Sequence, residues 1–311
     1  MLTVLFPGQG SQAAGMGCDL YDAHETARAT FDEASSVLGY DLTGVCRIGS
    51  ADELARTEVT QPALLAHSIA TLRLLQEGGV VFDAALGHSL GEYSALVATG
   101  ALAFADAVAL VKARGEAMAD AAARNPGGMV AVLGLEAGAV EELCAGLEGV
   151  WPANFNCPGQ VVVSCAAASI AEFEESAKAA GAKRAVRLAV SGAFHSPLVA
   201  PAADALREPL AATPWASPEP WFLSTCTVDF EVEDFPPLLE RQLVSPVRFE
   251  QSIRRLVAEG YNAFLEVGPG NVLAGLVRRI DSSVAATSAG DLGSLAAALD
   301  GSWMRAGEGD S

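Results

Sequence analysis

Short apolar runs alternate with amphipathic stretches along most of the chain, which is the pattern of buried strands separated by helices. Leu2-Thr3-Val4-Leu5-Phe6 is an apolar run stopped by Pro7-Gly8, so it predicts a buried strand entering a loop. Leu64, Leu65, Ile69, Leu72 and Leu75 recur at helical spacing and predict a helix over about 61–76. Ala84-Ala85-Leu86 reads as a second buried strand. It runs through Gly87-His88-Ser89-Leu90-Gly91-Glu92 into renewed helical character at 93–97. An alanine-rich helix is expected from Phe104 to Ala123, where Asn125-Pro126-Gly127-Gly128 breaks it.

The rhythm then changes. Strand patterns at 129–135, 151–156, 160–165 and 184–190 enclose helical ones at 137–147 and 166–180. The order β-α-β-β-α-β is that of a ferredoxin-like unit, which can be inserted whole into another domain. After Ser191 the alternation returns, with strands at 221–226, 263–267 and 284–289 and helices near 237–243, 247–260 and 272–280. A last helix follows, and residues past Met304 read as a frayed tail. The expected fold class is therefore α/β: a split large domain, residues 1–125 and 191–311, around an α+β subdomain, residues 126–190. Ligands in such folds sit at the carboxyl ends of parallel strands or in the seam between domains. Both expectations point to one cleft.

With 311 residues, 51% of them apolar, the chain can bury a large core without disulfide or metal staples. Its 38 acidic against 19 basic residues give a formal charge of −19, which argues against nucleic-acid binding. Ten of the 19 basic residues nevertheless fall in three stretches: Lys178, Lys183, Arg184 and Arg187; Arg241, Arg248, Arg254 and Arg255; Arg278 and Arg279. They read either as ordinary solvated faces or as a docking surface for an anionic partner. The first 27 residues carry no Lys or Arg, and no uncharged apolar run is long enough to span a bilayer. Six cysteines without CxxC or paired spacing read as reduced thiols. The expectation is a cytoplasmic protein that engages no membrane.

The strongest chemical signal is Gly87-His88-Ser89-Leu90-Gly91, between a predicted strand and a predicted helix. A serine on such a turn is held exposed in a strained backbone, and the following helix aims its free N–H groups beside it. A serine nucleophile needs a base, and there are four histidines. His24 lies at a polar helix start, His67 within an apolar helix, and His88 diverges from its neighbour. His195, where the chain re-enters the large domain, is left. Arg114 falls on the apolar stripe Val108, Val111 and Met118 of its helix, so it must snorkel out, form an internal ion pair or meet an anionic ligand. Gly8-Gln9-Gly10 and Gly268-Pro269-Gly270 fit no phosphate-binding pattern, and no metal-ligand spacing is present in the sequence.

Several motifs in one order resemble the malonyl-CoA:acyl carrier protein transacylase family and the related acyltransferases of polyketide synthases. They are Phe6-Pro7-Gly8-Gln9-Gly10-Ser11-Gln12, Thr60-Gln61-Pro62-Ala63-Leu64, Gly87-His88-Ser89-Leu90-Gly91-Glu92, Ala113-Arg114-Gly115, Asn154-Phe155-Asn156-Cys157-Pro158-Gly159-Gln160, Gly192-Ala193-Phe194-His195-Ser196 and Glu266-Val267-Gly268-Pro269-Gly270. The resemblance implies an α/β-hydrolase-like large domain with a ferredoxin-like insert. It implies Ser89 as acylated nucleophile, His195 as its base and the Gln242 backbone carbonyl as the group that orients the histidine. Gln9 and Leu90 would supply oxyanion N–H groups, and Arg114 would grip the free carboxylate of malonate. Gln61, Met118 and Phe194 would line the acyl site, with Phe194 crowding an α-methyl group and so favouring malonyl over methylmalonyl. Cys157 and Cys165 stand where relatives often carry serine and glycine.

The activity implied is ping-pong transfer of malonyl from malonyl-CoA to the phosphopantetheine thiol of an acyl carrier protein, for fatty acid or polyketide synthesis. No cofactor or metal is implied, because CoA and phosphopantetheine enter as substrates. The family members are often monomers. Acyl carrier proteins are acidic, which favours the docking reading of the basic stretches. An acyl hydrolase on the same scaffold is the alternative, and it has no use for a buried Arg114.

Overall fold

The computed structural model describes residues 1–304. The tail expected to be frayed, and with it the end of the 191–311 segment, lies outside them.

Ten strands occur among the described residues: β1 (Leu2–Phe6), β2 (Ala84–Gly87), β3 (Gly127–Leu133), β4 (Val150–Cys157), β5 (Gln160–Ala166), β6 (Arg184–Arg187), β7 (Trp221–Ser224), β8 (Asp229–Glu231), β9 (Ala263–Val267) and β10 (Ala285–Ala289). They form two sheets. The larger has the order β10-β9-β1-β2-β7-β8, with β8 antiparallel at one edge and the rest parallel. Every residue of β1, β2 and β9 is buried, as parallel strands covered by helices on both faces require, which is why their sequences are nearly continuous apolar runs. The smaller sheet, β4-β5-β3-β6, is antiparallel throughout and carries the helices Ala137–Ala145 and Ile170–Ala179. Strand, helix, strand, strand, helix, strand is the ferredoxin-like order.

The small sheet is tied by backbone to the large domain at Val247, between the helices Phe235–Val244 and Phe249–Ala258. In β4 the Phe155 N–H donates to the Val247 carbonyl at 2.8 Å, and the Val247 N–H donates to the Ala153 carbonyl at 2.8 Å. Asn154, at the centre of this pairing, lines the cleft.

Two long helices pack behind the large sheet. Thr57–Glu77 starts four residues earlier than its large apolar residues predict and carries Pro62 inside. It is buried nearly all round, so the polar Thr57, Thr60 and Gln61 belong to its core face and hid its first turn from a hydrophobic count. Phe104–Arg124 lies against it. At their crossing a Cβ on Gly115 would stand 2.7 Å from Glu58 Cα, so only glycine allows this approach. The neighbouring Arg114 is thereby brought beside Gln61.

The patterning does not predict the helices Cys18–Ala23, Leu42–Ile48, Ala51–Ala55 and Ala200–Ala212, or the strand β8, and of the helix Glu25–Leu38 it gives only the start, at His24. The strand expected over 184–190 ends at Arg187; the Leu188 N–H still donates to the Met129 carbonyl of β3 at 2.9 Å, and the side chains of Leu188 and Val190 line the cleft.

Candidate active site

The turn after β2 is compressed from both sides. A Cβ on Gly87 would fall 1.9 Å from the Gly91 carbonyl carbon, and one on Gly91 would fall 2.0 Å from the Phe6 carbonyl oxygen. Backbone passing this close leaves Ser89 at φ 53°, a left-handed conformation that costs a non-glycine residue about 1–3 kcal/mol. Ser89 stands at the head of the helix Gly91–Ala98, whose positive dipole end faces the same space, while its first N–H groups donate to the His88, Ser89 and Leu90 carbonyls.

His195 comes from the segment that leaves the small sheet. Its φ is 57°, so two of the four described non-glycine residues with positive φ are Ser89 and His195. The segment is tightly anchored. Ser164 Oγ donates to the Phe194 carbonyl, Ser196 Oγ donates to the Ala193 carbonyl at 2.6 Å, and a Cβ on Gly192 would meet Ala122 Cβ at 2.6 Å. The result is a distance of 2.8 Å between Ser89 Oγ and His195 Nε2. On the far side of the ring, His195 Nδ1 lies 3.0 Å from the Gln242 carbonyl and 3.0 Å from the Ser245 carbonyl. Carbonyls only accept, so Nδ1 carries the proton and Nε2 presents its lone pair to the serine hydroxyl. Burial, and then the positive Arg114 nearby, push the His195 pKa from 6.5 down to about 3. The imidazole is therefore a neutral base at physiological pH.

Arg114 neither reaches solvent nor forms an ion pair. It is 1% exposed, and no carboxylate oxygen among the described residues lies within 4 Å of its guanidinium. Its Nη1 donates to Gln61 Oε1 at 2.8 Å, while Nη2 donates to Ser89 Oγ and to Gln242 Oε1, both at 3.2 Å. Nε has no partner, and the guanidinium carbon stands 5.7 Å from the centre of the Tyr93 ring. Gln61 is fixed in turn by an Nε2 contact of 3.3 Å to Met118 Sδ. The site thus holds a desolvated cation with neutral partners only, beside a serine oxygen.

The cleft has a cavity volume of about 80 Å³ and is lined by Gln9, Leu90, Met118 and Phe194 together with His88, Ser89, Arg114 and His195. Among the described residues neither the Gln9 nor the Leu90 N–H donates to a protein acceptor. Gly8 holds this side of the cleft closed, since a Cβ there would stand 2.4 Å from the His88 carbonyl oxygen. Of the other histidines, His88 also lines the cleft but is turned to Asn156, and His67 and His24 lie away from it. His88 Nε2 pairs with Asn156 Oδ1 at 3.0 Å, and His67 Nε2 donates to the Gly290 carbonyl at 2.7 Å within the core. His24 sits between two surface helices. Among the described residues no group of three or more His, Cys, Asp or Glu is placed to hold a metal, and no helix is long and apolar enough to cross a membrane.

Residues 3–303 match the family described as an acyl transferase domain. The chain belongs to that family. It is 47% identical over 286 residues, 90% of each chain, to the malonyl CoA-acyl carrier protein transacylase of Bacillus subtilis (strain 168). Among solved structures it superposes on the MCAT of Streptococcus pneumoniae with a TM-score of 0.92 at 43% identity, covering 97% of this chain and 100% of that one. It also superposes with a TM-score of 0.91 at 41% identity, covering 96% and 99%, on a malonyl-transacylase in complex with its type II PKS acyl-carrier protein. The α/β architecture of this acyl transferase, a large domain with a small subdomain, is that of these structures.

Ser89, His195, Arg114, Gln9, Leu90, Met118 and Phe194 line the cleft of the acyl transferase, and Gln61 and Gln242 reach it through Arg114 and His195. Two further residues do not stand out in the sequence. Ser245 shares the His195 proton with Gln242, which corrects the expectation of a single orienting carbonyl. Glu92, whose position in the motif is plain but whose purpose is not, is a fully buried carboxylate beneath the serine. Of the basic stretches, Arg187, Arg254 and Arg255 are spent in ion pairs with Glu174, Glu250, Glu259 and Asp229. Lys183 and Arg279 line a surface groove with Pro158 and Gly159, and Arg279 is bound only to the neutral Gln160 Oε1 and Pro158 carbonyl.

Proposed function

We propose that the chain moves a malonyl group from malonyl-CoA to the phosphopantetheine thiol of an acyl carrier protein, by way of a malonyl ester on Ser89. The observation that carries this is the 2.8 Å Ser89–His195 contact placed against a buried arginine that has no carboxylate of its own. A hydroxyl next to a neutral imidazole can be acylated, and an unpaired guanidinium beside it selects acyl groups that end in a carboxylate. Names and structures of the relatives support the same donor and acceptor.

In the first half-reaction His195 Nε2 takes the Ser89 proton as Oγ bonds to the thioester carbonyl carbon. The developing oxyanion is received by the Gln9 and Leu90 N–H groups, a contribution of roughly 3–4 kcal/mol for each donor. The C–S bond then breaks, and the departing CoA sulfur takes the proton from His195. In the second half the pantetheine thiol gives its proton to His195 and attacks the malonyl ester. Ser89 Oγ leaves and recovers the proton. Base assistance of this kind is worth about 10²–10⁴ in rate. Phe194, Met118 and Gln61 would shape the acyl site, and Phe194 would disfavour an α-methyl branch. No cofactor takes part. The same proposal has the enzyme working as a cytoplasmic monomer on soluble partners, which the six unpaired, buried cysteines support for the compartment.

Incubation with malonyl-CoA is expected to add one malonyl group to the protein, read by intact mass, and Ser89→Ala is expected to abolish it. Arg114→Ala should lose malonyl loading far more than acetyl loading. Release of free malonate without transfer to a carrier thiol would overturn the assignment, and equal loss of both acyl groups would make Arg114 structural.

A further inference from the structure

Beneath the serine lies a carboxylate that the transfer chemistry does not use. Glu92 is 0% exposed and sits in the first turn of the helix that follows Ser89. Its Oε1 accepts from the Thr225 N–H at 2.6 Å, the Thr225 hydroxyl at 2.6 Å and the Ser224 hydroxyl at 3.1 Å, and its Oε2 accepts from Gln242 Nε2 at 2.8 Å. Burial pushes the Glu92 carboxyl above its usual range, and the hydrogen bonds from Thr225, Gln242 and Ser224 oppose that push; four donors on two oxygens match the ionised form, which only accepts.

The Gln242 side chain passes this charge onward. Both protons of its Nε2 are committed, one to Glu92 and one to the Ser89 carbonyl at 2.9 Å. The amide can therefore turn only its oxygen toward Arg114, and Oε1 accepts from Nη2 there. A buried anion and a buried cation are joined through one amide dipole. A direct contact would have saturated the guanidinium fork, and leaving either charge unpaired in the core would be costly. The amide spacer balances the charges while leaving Arg114 able to receive a carboxylate from the substrate.

We infer that Glu92 is a positioning residue for acyl selection: acting through the Gln242 side chain, it orients and charge-balances Arg114, so that the enzyme prefers acyl groups ending in a carboxylate. This rests on the malonyl-transfer assignment above.

The measurement is kcat/KM for loading Ser89 from malonyl-CoA and from acetyl-CoA, with thermal unfolding alongside. In Glu92→Gln an NH₂ group must face either Gln242 or the Thr225 N–H. Satisfying the new donor means turning the Gln242 amide, which sets its own NH₂ against Arg114. The malonyl-over-acetyl preference is expected to fall by about ten- to a hundredfold, the factor that goes with losing one hydrogen bond to a charged group. Glu92→Asp, which keeps the charge, should retain more of the preference than Glu92→Gln. Thr225→Val removes one donor while keeping the shape, and it should lower the preference by a smaller factor in a protein that still folds. A preference unchanged in folded Glu92→Gln or Thr225→Val, or equal losses for both donors, overturns the inference. Failure of the wild-type protein to load malonyl on Ser89 would instead overturn the underlying assignment.

Discussion

His195 works as a base because its surroundings oppose a positive charge. Burial and Arg114 hold its pKa near 3, against 6.5 in an unfolded chain. Between those values the unfolded chain binds a proton that the native protein does not, so this group makes stability fall as pH drops from 6.5 toward 3 and has no effect above 6.5. Activity should follow the native value. The kcat/KM for malonyl loading is expected to stay level as pH falls through 6.5 toward 5, since its acid limb reports the free enzyme. Arg114→Ala removes the second cause of the shift, and its limb should move upward. A wild-type limb near 6.5 would mean the imidazole is less desolvated than the fold implies. The proton on Nδ1 has an equally local origin. Gln242 lies in the last turn of the helix Phe235–Val244, where carbonyls lack partners within the helix, and the Ser245 carbonyl lies just beyond its end. A helix C-terminus also favours the transient imidazolium.

At the scale of elements, the crossing of Thr57–Glu77 and Phe104–Arg124 determines where the cation stands. Gly115→Ala would press a methyl group onto Glu58, and overpacking of this kind costs about 1–3 kcal/mol. The variant is expected to unfold at lower temperature and, with Arg114 displaced, to show a weaker malonyl-over-acetyl preference. Normal preference with lowered stability would separate the crossing from the site. Elements built from large apolar residues were legible in the sequence. The strand Ala263–Val267 and the helix Val272–Ile280 have the bounds their patterns predict, and the β-α-β-β-α-β order of the small sheet was plain. Of the helix Glu25–Leu38 only the polar start at His24 was legible, because its buried stripe of Ala27, Thr30, Phe31, Ala34 and Leu38 is mostly small or polar. β8 has three residues and one neighbour, too short to leave a period. In the cleft, Ser89 stood out by its motif, His195 was left by elimination among four histidines, and the charge of Arg114 on an apolar stripe left its purpose open until the resemblance gave it one. Ser245 acts through a backbone atom, which no side-chain pattern encodes. Glu92 needed its partners on β7 and beyond to acquire a purpose.

Taken whole, the molecule carries a charge of −19 and, in the proposed reaction, must receive an acidic carrier protein. Long-range repulsion opposes that encounter, so a local cationic surface has to act within a Debye length, about 8 Å at physiological ionic strength. Not every basic side chain of the three stretches can provide it. Arg187, Arg254 and Arg255 are neutralised by their own neighbours. Lys183 and Arg279 differ. They come from the two separate parts of the molecule and meet at one groove in the seam, where the turn between β4 and β5 approaches the helix Val272–Ile280. Glu136 is the one acid on that groove. Replacing both cations, Lys183→Glu with Arg279→Glu, is expected to raise the KM for the carrier protein about tenfold or more, the scale of close charge pairs across an interface. Loading of Ser89 from malonyl-CoA should be spared. Salt should weaken transfer in the wild-type protein and have little effect in the double variant, because the attraction that it screens is already gone. If both half-reactions fall together, the groove serves the CoA donor as well; if neither changes, carrier docking lies on another face and these two side chains are solvated like the rest.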